Sequence, residues 1–276
     1  MKSFIWLFAF LVTVAALYYQ YTTGPTHPLK TEVDTGIQKF PLKLMRSHTG
    51  TTDCPVILQV PDITVKGVLL YRKYPTKDEM TKVDLRREGD KLVAEIPNQP
   101  PAGKIEYQVE LEKEGTPLKI NSGFPVIIRF TGDVPKAVLV THILLMFLAM
   151  LFSNATGIFA LFKINSYKFY AFVTFVILAA GGLVFGPIVQ KYAFNEWWAG
   201  IPFGWDLTDN KTLIAILAWL LALLMIRKKG ASYWVILASL ITIVIFSIPH
   251  SLYGSQLDQE TGKIIQGVIL PFLKLF

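Results

Sequence analysis

Four apolar runs in the second half of the chain constrain its fold more than any other feature. They are Pro135 to about Phe162, Phe169 to Ile188, Leu213 to Ile226 (reaching back toward Asp209–Thr212) and Ser232 to Ile248. Each is near the length a helix needs to cross about 30 Å of hydrocarbon. A fifth run, Phe4 to Tyr19, follows Lys2. Tyr18, Tyr19, Gln20 and Tyr21 leave no clean small-x-small cleavage site after it, so it reads as an uncleaved anchor. Charge is distributed to match: 32 of the 47 Lys, Arg, Asp and Glu residues precede Lys136. Charged residues are 17% of the chain, against about a quarter in soluble domains.

The net charge of +7 does not form a nucleic-acid footprint. In the second half the basic residues sit at the ends of apolar runs, where they act as topology signals. A single cysteine, Cys54, excludes an internal disulfide, a Cys-rich metal framework and covalent haem attachment.

Between the anchor and the helices lies a region with β character. Gly24-Pro25-Thr26-His27-Pro28 is a linker. Candidate strands follow at Pro55–Val60, Val65–Tyr74, Val83–Arg87, Lys91–Ile96, Lys104–Glu112 and Val126–Phe130. Glu88-Gly89-Asp90 marks a hairpin turn. Ile105 to Leu111 alternates strictly between apolar and polar, so one face is buried and one solvated. Short strands with turns between them suggest an immunoglobulin-like sandwich. The expected fold class is therefore an α-helical membrane protein with an all-β, immunoglobulin-like extracytoplasmic domain. The expected division is an anchor at 1–22, a β domain at 23–133, a four-helix transmembrane domain at 134–252 and an outer tail at 253–276.

Lys163 and Lys168 flank one short connection, and Arg227, Lys228 and Lys229 fill another. Both should face the cytoplasm. The β domain, the tail and the loop 190–210 then face outward, and the N-terminus is cytoplasmic. The expected location is the bacterial inner membrane.

Titratable groups within apolar runs usually have a reason to be there. His142 lies about two turns inside the first run, and His250 follows Pro249 at the end of the fourth. The topology puts both toward the outer face. The intervening loop holds Trp197, Trp198 and Trp205, three of the six tryptophans, together with Gly200, Gly204 and Asp206. Two imidazoles beneath an indole-rich shelf suit a planar macrocycle with iron at its centre.

This order resembles the tryptophan-rich "WWD" family of haem-handling membrane proteins of cytochrome c maturation. It runs from an outer histidine through two helices to a loop ending Trp205-Asp206, then through two more helices to a second outer histidine. The resemblance covers about His142 to His250. It implies haem b, with His142 and His250 as iron ligands and Trp197, Trp198, Trp205 and Asp206 lining the haem face. Here Trp205-Asp206 continues Leu207-Thr208-Asp209-Asn210-Lys211, where the family has Pro-Lys-Glu.

Plainer readings stand beside these. His142 could be a neutral imidazole bonded to a backbone carbonyl, and the tryptophans an interfacial belt. Asp206 and Asp209 could be helix caps. Met146 and Met150 could be packing, as could the small-residue face of Gly181, Gly182 and Gly186. At the level of the whole chain, the alternatives to haem handling are a scaffold subunit of a larger membrane complex and a quinone-site protein. Expected partners are membrane lipid and other membrane or periplasmic proteins, with no nucleic acid. No hydrolase or phosphate-binding motif is present.

Overall fold

The computed structural model describes residues 2–35, 38–120, 125–249 and 254–266. The chain divides into two compact units. Of the described residues, a helical unit takes in those up to Pro25, those within Val134–Ser255, and Ile265 and Gln266. A β unit takes in Thr26–Asp133 and Gln256–Ile264.

The strands are β1 (Leu29–Asp34), β2 (Lys39–Leu44), β3 (Ser47–Thr49), β4 (Cys54–Gln59), β5 (Val65–Lys73), β6 (Thr81–Asp84), β7 (Arg86–Glu88), β8 (Lys91–Ile96), β9 (Lys104–Lys113), β10 (Thr116–Ile120), β11 (Val126–Thr131), β12 (Ser255–Leu257) and β13 (Ile264–Gln266). The larger sheet runs β2-β1-β10-β9-β11-β3, with β5 and β6 added alongside β9. The smaller sheet is β4-β8-β7. Every pairing described in these two sheets is antiparallel except β3 with β11.

Alternation in β9 explains the core. Ile105, Tyr107, Val109 and Leu111 point inward, and Ile105 and Tyr107 pair across the ladder with Ile128 and Val126. They meet Val56, Leu58, Leu92, Ala94 and Ile96 of the smaller sheet in one apolar cluster. The Tyr107 hydroxyl, buried within it, donates to the Met45 carbonyl at 2.8 Å. Burial pushes the Tyr107 phenol well above its usual pKa range.

Three differences from the sequence expectation have physical causes. The run Val83–Arg87 is two strands. At Leu85 the chain leaves β5, its partner in the larger sheet, and joins β8 in the smaller. β2 and β10 carry Pro41 and Pro117, residues that argue against a strand, yet both pair. The stretch Gln256–Ile264 is not a separate tail. Leu257 N–H donates to the Ala102 carbonyl, and Lys104 Nζ donates to Gln256 Oε1 at 2.9 Å.

The helices are α1 (Lys2–Thr23), α2 (Lys136–Leu161), α3 (Tyr167–Phe194), α4 (Leu207–Leu224) and α5 (Ala231–Ser247). The first four are long and apolar enough to cross a membrane. α5 is apolar but has 17 residues, a rise of about 25 Å. These helices are compatible with a multi-pass membrane protein. Their outward faces carry large apolar side chains such as Phe4, Leu11, Ile143, Leu144, Phe172 and Leu240.

α1 is a member of the bundle, and does not stand apart as a tether. Ile5 and Ala9 are buried in the helical core. Trp6 packs edge-on against Phe152, Phe159 and Tyr170 at 5.0 to 5.9 Å. Asn154 Nδ2 of α2 donates to Thr13 Oγ1 of α1 at 3.0 Å. Gln20 Nε2 donates to the Phe246 and Ile248 carbonyls at the end of α5. Ser239 Oγ donates to the Ser153 carbonyl at 2.9 Å, and Trp219 Nε1 to Thr242 Oγ1 at 2.9 Å. Small residues make these approaches possible. A Cβ on Gly157 would overlap Ser239, and one on Gly182 would sit 2.5 Å from Thr212 Cγ2.

Two outcomes follow from these contacts. Replacing Asn154 with Ala and Thr13 with Val, singly and together, should give a coupling of about 0.6 kcal/mol in detergent unfolding; strictly additive effects would contradict the bond. In the β unit, burial and then Arg129 lower the Lys104 pKa from 10.5 to about 8. Between those values the unfolded chain binds more protons, so stability rises with pH. Denaturation of the β unit should show that rise, and Lys104→Met should remove it.

Candidate functional site

α3 is not a uniform helix. Its Ala180–Phe185 segment is a π-helical turn between α-helical stretches. The amide of Gly186 bonds the Gly181 carbonyl, five residues back. The same carbonyl lies 3.0 Å from Nδ1 of His142 on α2. Glycine lets the helices meet here. A Cβ on Gly181 would come within 2.9 Å of Met146 Sδ and 3.0 Å of Leu145 Cβ. Gly186 faces the same ring, since its Cβ would lie 3.7 Å from His142 Cε1. His142 and Met146, one helical turn apart, therefore both adjoin Gly181. Met150, a further turn along, is buried.

The connection between α3 and α4 is a loop pinned by the first turn of α4. Asp206 caps that helix, its Oδ1 accepting from the amides of Thr208 and Asp209. Its Oδ2 accepts from Ser255 Oγ at 3.1 Å. Asp209 Oδ2 accepts from the Ala199 amide at 2.6 Å, and Asn210 Oδ1 from the Ile201 amide at 2.8 Å. Gly200 and Gly204 leave room for this fold. A Cβ on Gly200 would lie 2.7 Å from Asp209 Cβ, and one on Gly204 would overlap the Ala199 carbonyl.

The aromatic residues project from this scaffold. Phe203 is 82% exposed, Trp205 69% and Trp197 57%. Trp198 is half-buried and donates through Nε1 to the Ile201 carbonyl. Lys191 Nζ stands 5.9 Å from the Trp197 ring centroid. Asp206, at 5% exposure, is engaged through both carboxylate oxygens, so it acts as a cap and loop anchor.

His250 lies outside the described residues. Lys211, 2% exposed, donates through Nζ to the Ile248 carbonyl at 3.0 Å. A cation at the end of α5 suits the negative pole of that helix. Among the described residues, no group of three or more His, Cys, Asp or Glu side chains is placed to hold a metal ion.

The structure thus brings His142 to a backbone carbonyl and sets three tryptophans on one pinned loop. Sequence reasoning missed Gly181 as the partner of His142. The close approach was signalled by Gly181, Gly182 and Gly186, but the π turn has no signature of its own. It also missed Asn210 and Ser255 as loop anchors. Comparison with known protein families and with curated proteins finds no match for this chain.

Losing a loop anchor and losing an exposed aromatic residue should differ. Asp209→Ala leaves the Ala199 amide unsatisfied and should cost about 1 to 3 kcal/mol, seen as faster proteolysis between α3 and α4. Trp205→Ala should change stability by no more than about 0.5 kcal/mol. Equal effects would contradict the pinned-loop description.

Proposed function

We propose that this chain is a haem-binding integral membrane protein that handles haem or passes electrons at the outer face of the bacterial inner membrane. The observation that carries the reading is the bond between His142 and Gly181. A histidine that ligates a metal through one nitrogen usually gives its other N–H to a carbonyl or carboxylate. His142 makes such a bond through Nδ1, which leaves Nε2 for iron. Haem b suits a chain without a covalent attachment motif, and when bound it supplies a one-electron couple or is itself the cargo.

The tryptophan loop supports the same reading. Trp197, Trp198 and Trp205 offer flat apolar surface for a macrocycle, and Asp206 and Asp209 keep the loop that bears them in one shape. His250 is the proposed second ligand. The intervening chain, with two helices, the tryptophan loop and two helices, follows the order of the haem-handling family named above.

Sidedness rests on charge. Lys163, Lys168 and the Arg227–Lys229 cluster assign the two short connections to the cytoplasm. The loop and the β unit then lie outside, and the N-terminus inside. The β unit reads as an immunoglobulin-like sandwich. Two sheets of short, mostly antiparallel strands sharing one apolar core support that reading. Its role would be to dock a membrane or periplasmic partner.

The test is an absorbance spectrum of the full chain purified in mild detergent and titrated with haem. A Soret band should appear at one equivalent. His142→Ala should lower bound haem at least tenfold while the unfolding midpoint barely moves. Full haem binding by His142→Ala, or no band in the wild type, would overturn the reading. Co-purification with fixed partners and no pigment would favour a scaffold subunit.

A further inference from the structure

We infer that the π-helical turn of α3 is a device that fixes the His142 ring as its Nδ1–H tautomer and presents Nε2 as a bare electron pair. A carbonyl oxygen can only accept, so the 3.0 Å contact between Nδ1 and the Gly181 oxygen requires the proton on Nδ1. In a neutral imidazole the other nitrogen is then an acceptor. No ion pair involves His142 among the described residues, so no carboxylate there favours an imidazolium.

The π turn explains why this carbonyl is at hand. In a regular α-helix the Gly181 oxygen would be aligned along the axis toward the amide four residues on. Here its helical partner is the Gly186 amide, five residues on, and the oxygen has capacity for a second donor. π turns are rare and are often found at functional sites. Two glycines keep the oxygen accessible. A Cβ on Gly181 would crowd Met146 Sδ at 2.9 Å and Leu145 Cβ at 3.0 Å, and one on Gly186 would meet the imidazole edge at 3.7 Å. Gly181 is thus a positioning residue that acts through His142.

The ligand class follows from the nitrogen. A bare imidazole nitrogen takes a transition-metal ion of borderline softness, and an iron macrocycle would bring four ring-nitrogen ligands of its own, leaving places for imidazoles. The inference rests on the haem reading for its purpose, but its geometry stands without it.

The experiment is nitrogen NMR of the full chain in detergent with isotope-labelled histidine, assigned by His142→Asn. The expected spectrum shows Nδ1 protonated, Nε2 unprotonated, and a coupling from Nδ1–H to the Gly181 carbonyl. Gly181→Ala should weaken that coupling. Gly186→Ala, whose added methyl meets the ring at ordinary contact distance, should leave it in place. A wild-type ring protonated on Nε2, alone or together with Nδ1, overturns the inference whatever the variants do. Adding haem separates the two proposals. An Nε2 signal that broadens or shifts supports both, whereas an unchanged signal from an Nδ1–H ring sinks the haem reading and leaves the positioning role intact.

Discussion

The helical unit depends on α2 lying close enough to its neighbours to hydrogen-bond with them. The helices are apolar around much of their surface, so small residues and polar contacts single out the faces that pack most closely. α2 supplies both. Gly157 and Ser153 meet Ser239 of α5, Asn154 reaches Thr13 of α1, and Thr156 lies 3.4 Å from Thr174 of α3. Nearer its start, His142 reaches the Gly181 carbonyl. The same closeness that holds the bundle together places an imidazole against a π turn. The loop between α3 and α4 obeys a related rule. Its backbone amides at Ala199 and Ile201 are satisfied by Asp209 and Asn210, and this lets it display large aromatic side chains.

Much of the fold was legible because periodicity reports burial. The alternation through Ile105–Leu111 found β9, and Glu88-Gly89-Asp90 found the β7–β8 hairpin, whose Gly89 takes φ +57°. The apolar runs located the five described helices, although α3 continues six residues past the expected end at Ile188 and α4 begins at Leu207, ahead of Leu213. What sequence could not reveal were pairings decided by distant residues. β3 has three residues and pairs parallel with β11, 82 positions away at Thr49 and Thr131. Pro41 and Pro117 concealed β2 and β10.

The candidate site was legible in its parts and not in its connections. His142, the tryptophans and the glycine face stood out by their rarity in apolar sequence. The bond from His142 to Gly181 joins residues 39 positions apart, and it depends on a change of helical register that no local residue type announces. Asp206 and Asp209 were readable as caps, because carboxylates favour the start of a helix. That Asp209 also satisfies the Ala199 amide follows from how the loop folds back, which depends on Gly200 and Gly204.

The measurement that bears most directly on the central claim is the electron paramagnetic resonance of the ferric, haem-loaded chain with isotope-labelled histidine. The account predicts a low-spin signal with hyperfine coupling to an imidazole nitrogen, lost in His142→Ala. A high-spin signal without imidazole coupling, or a low-spin signal unaffected by removing His142, would contradict it.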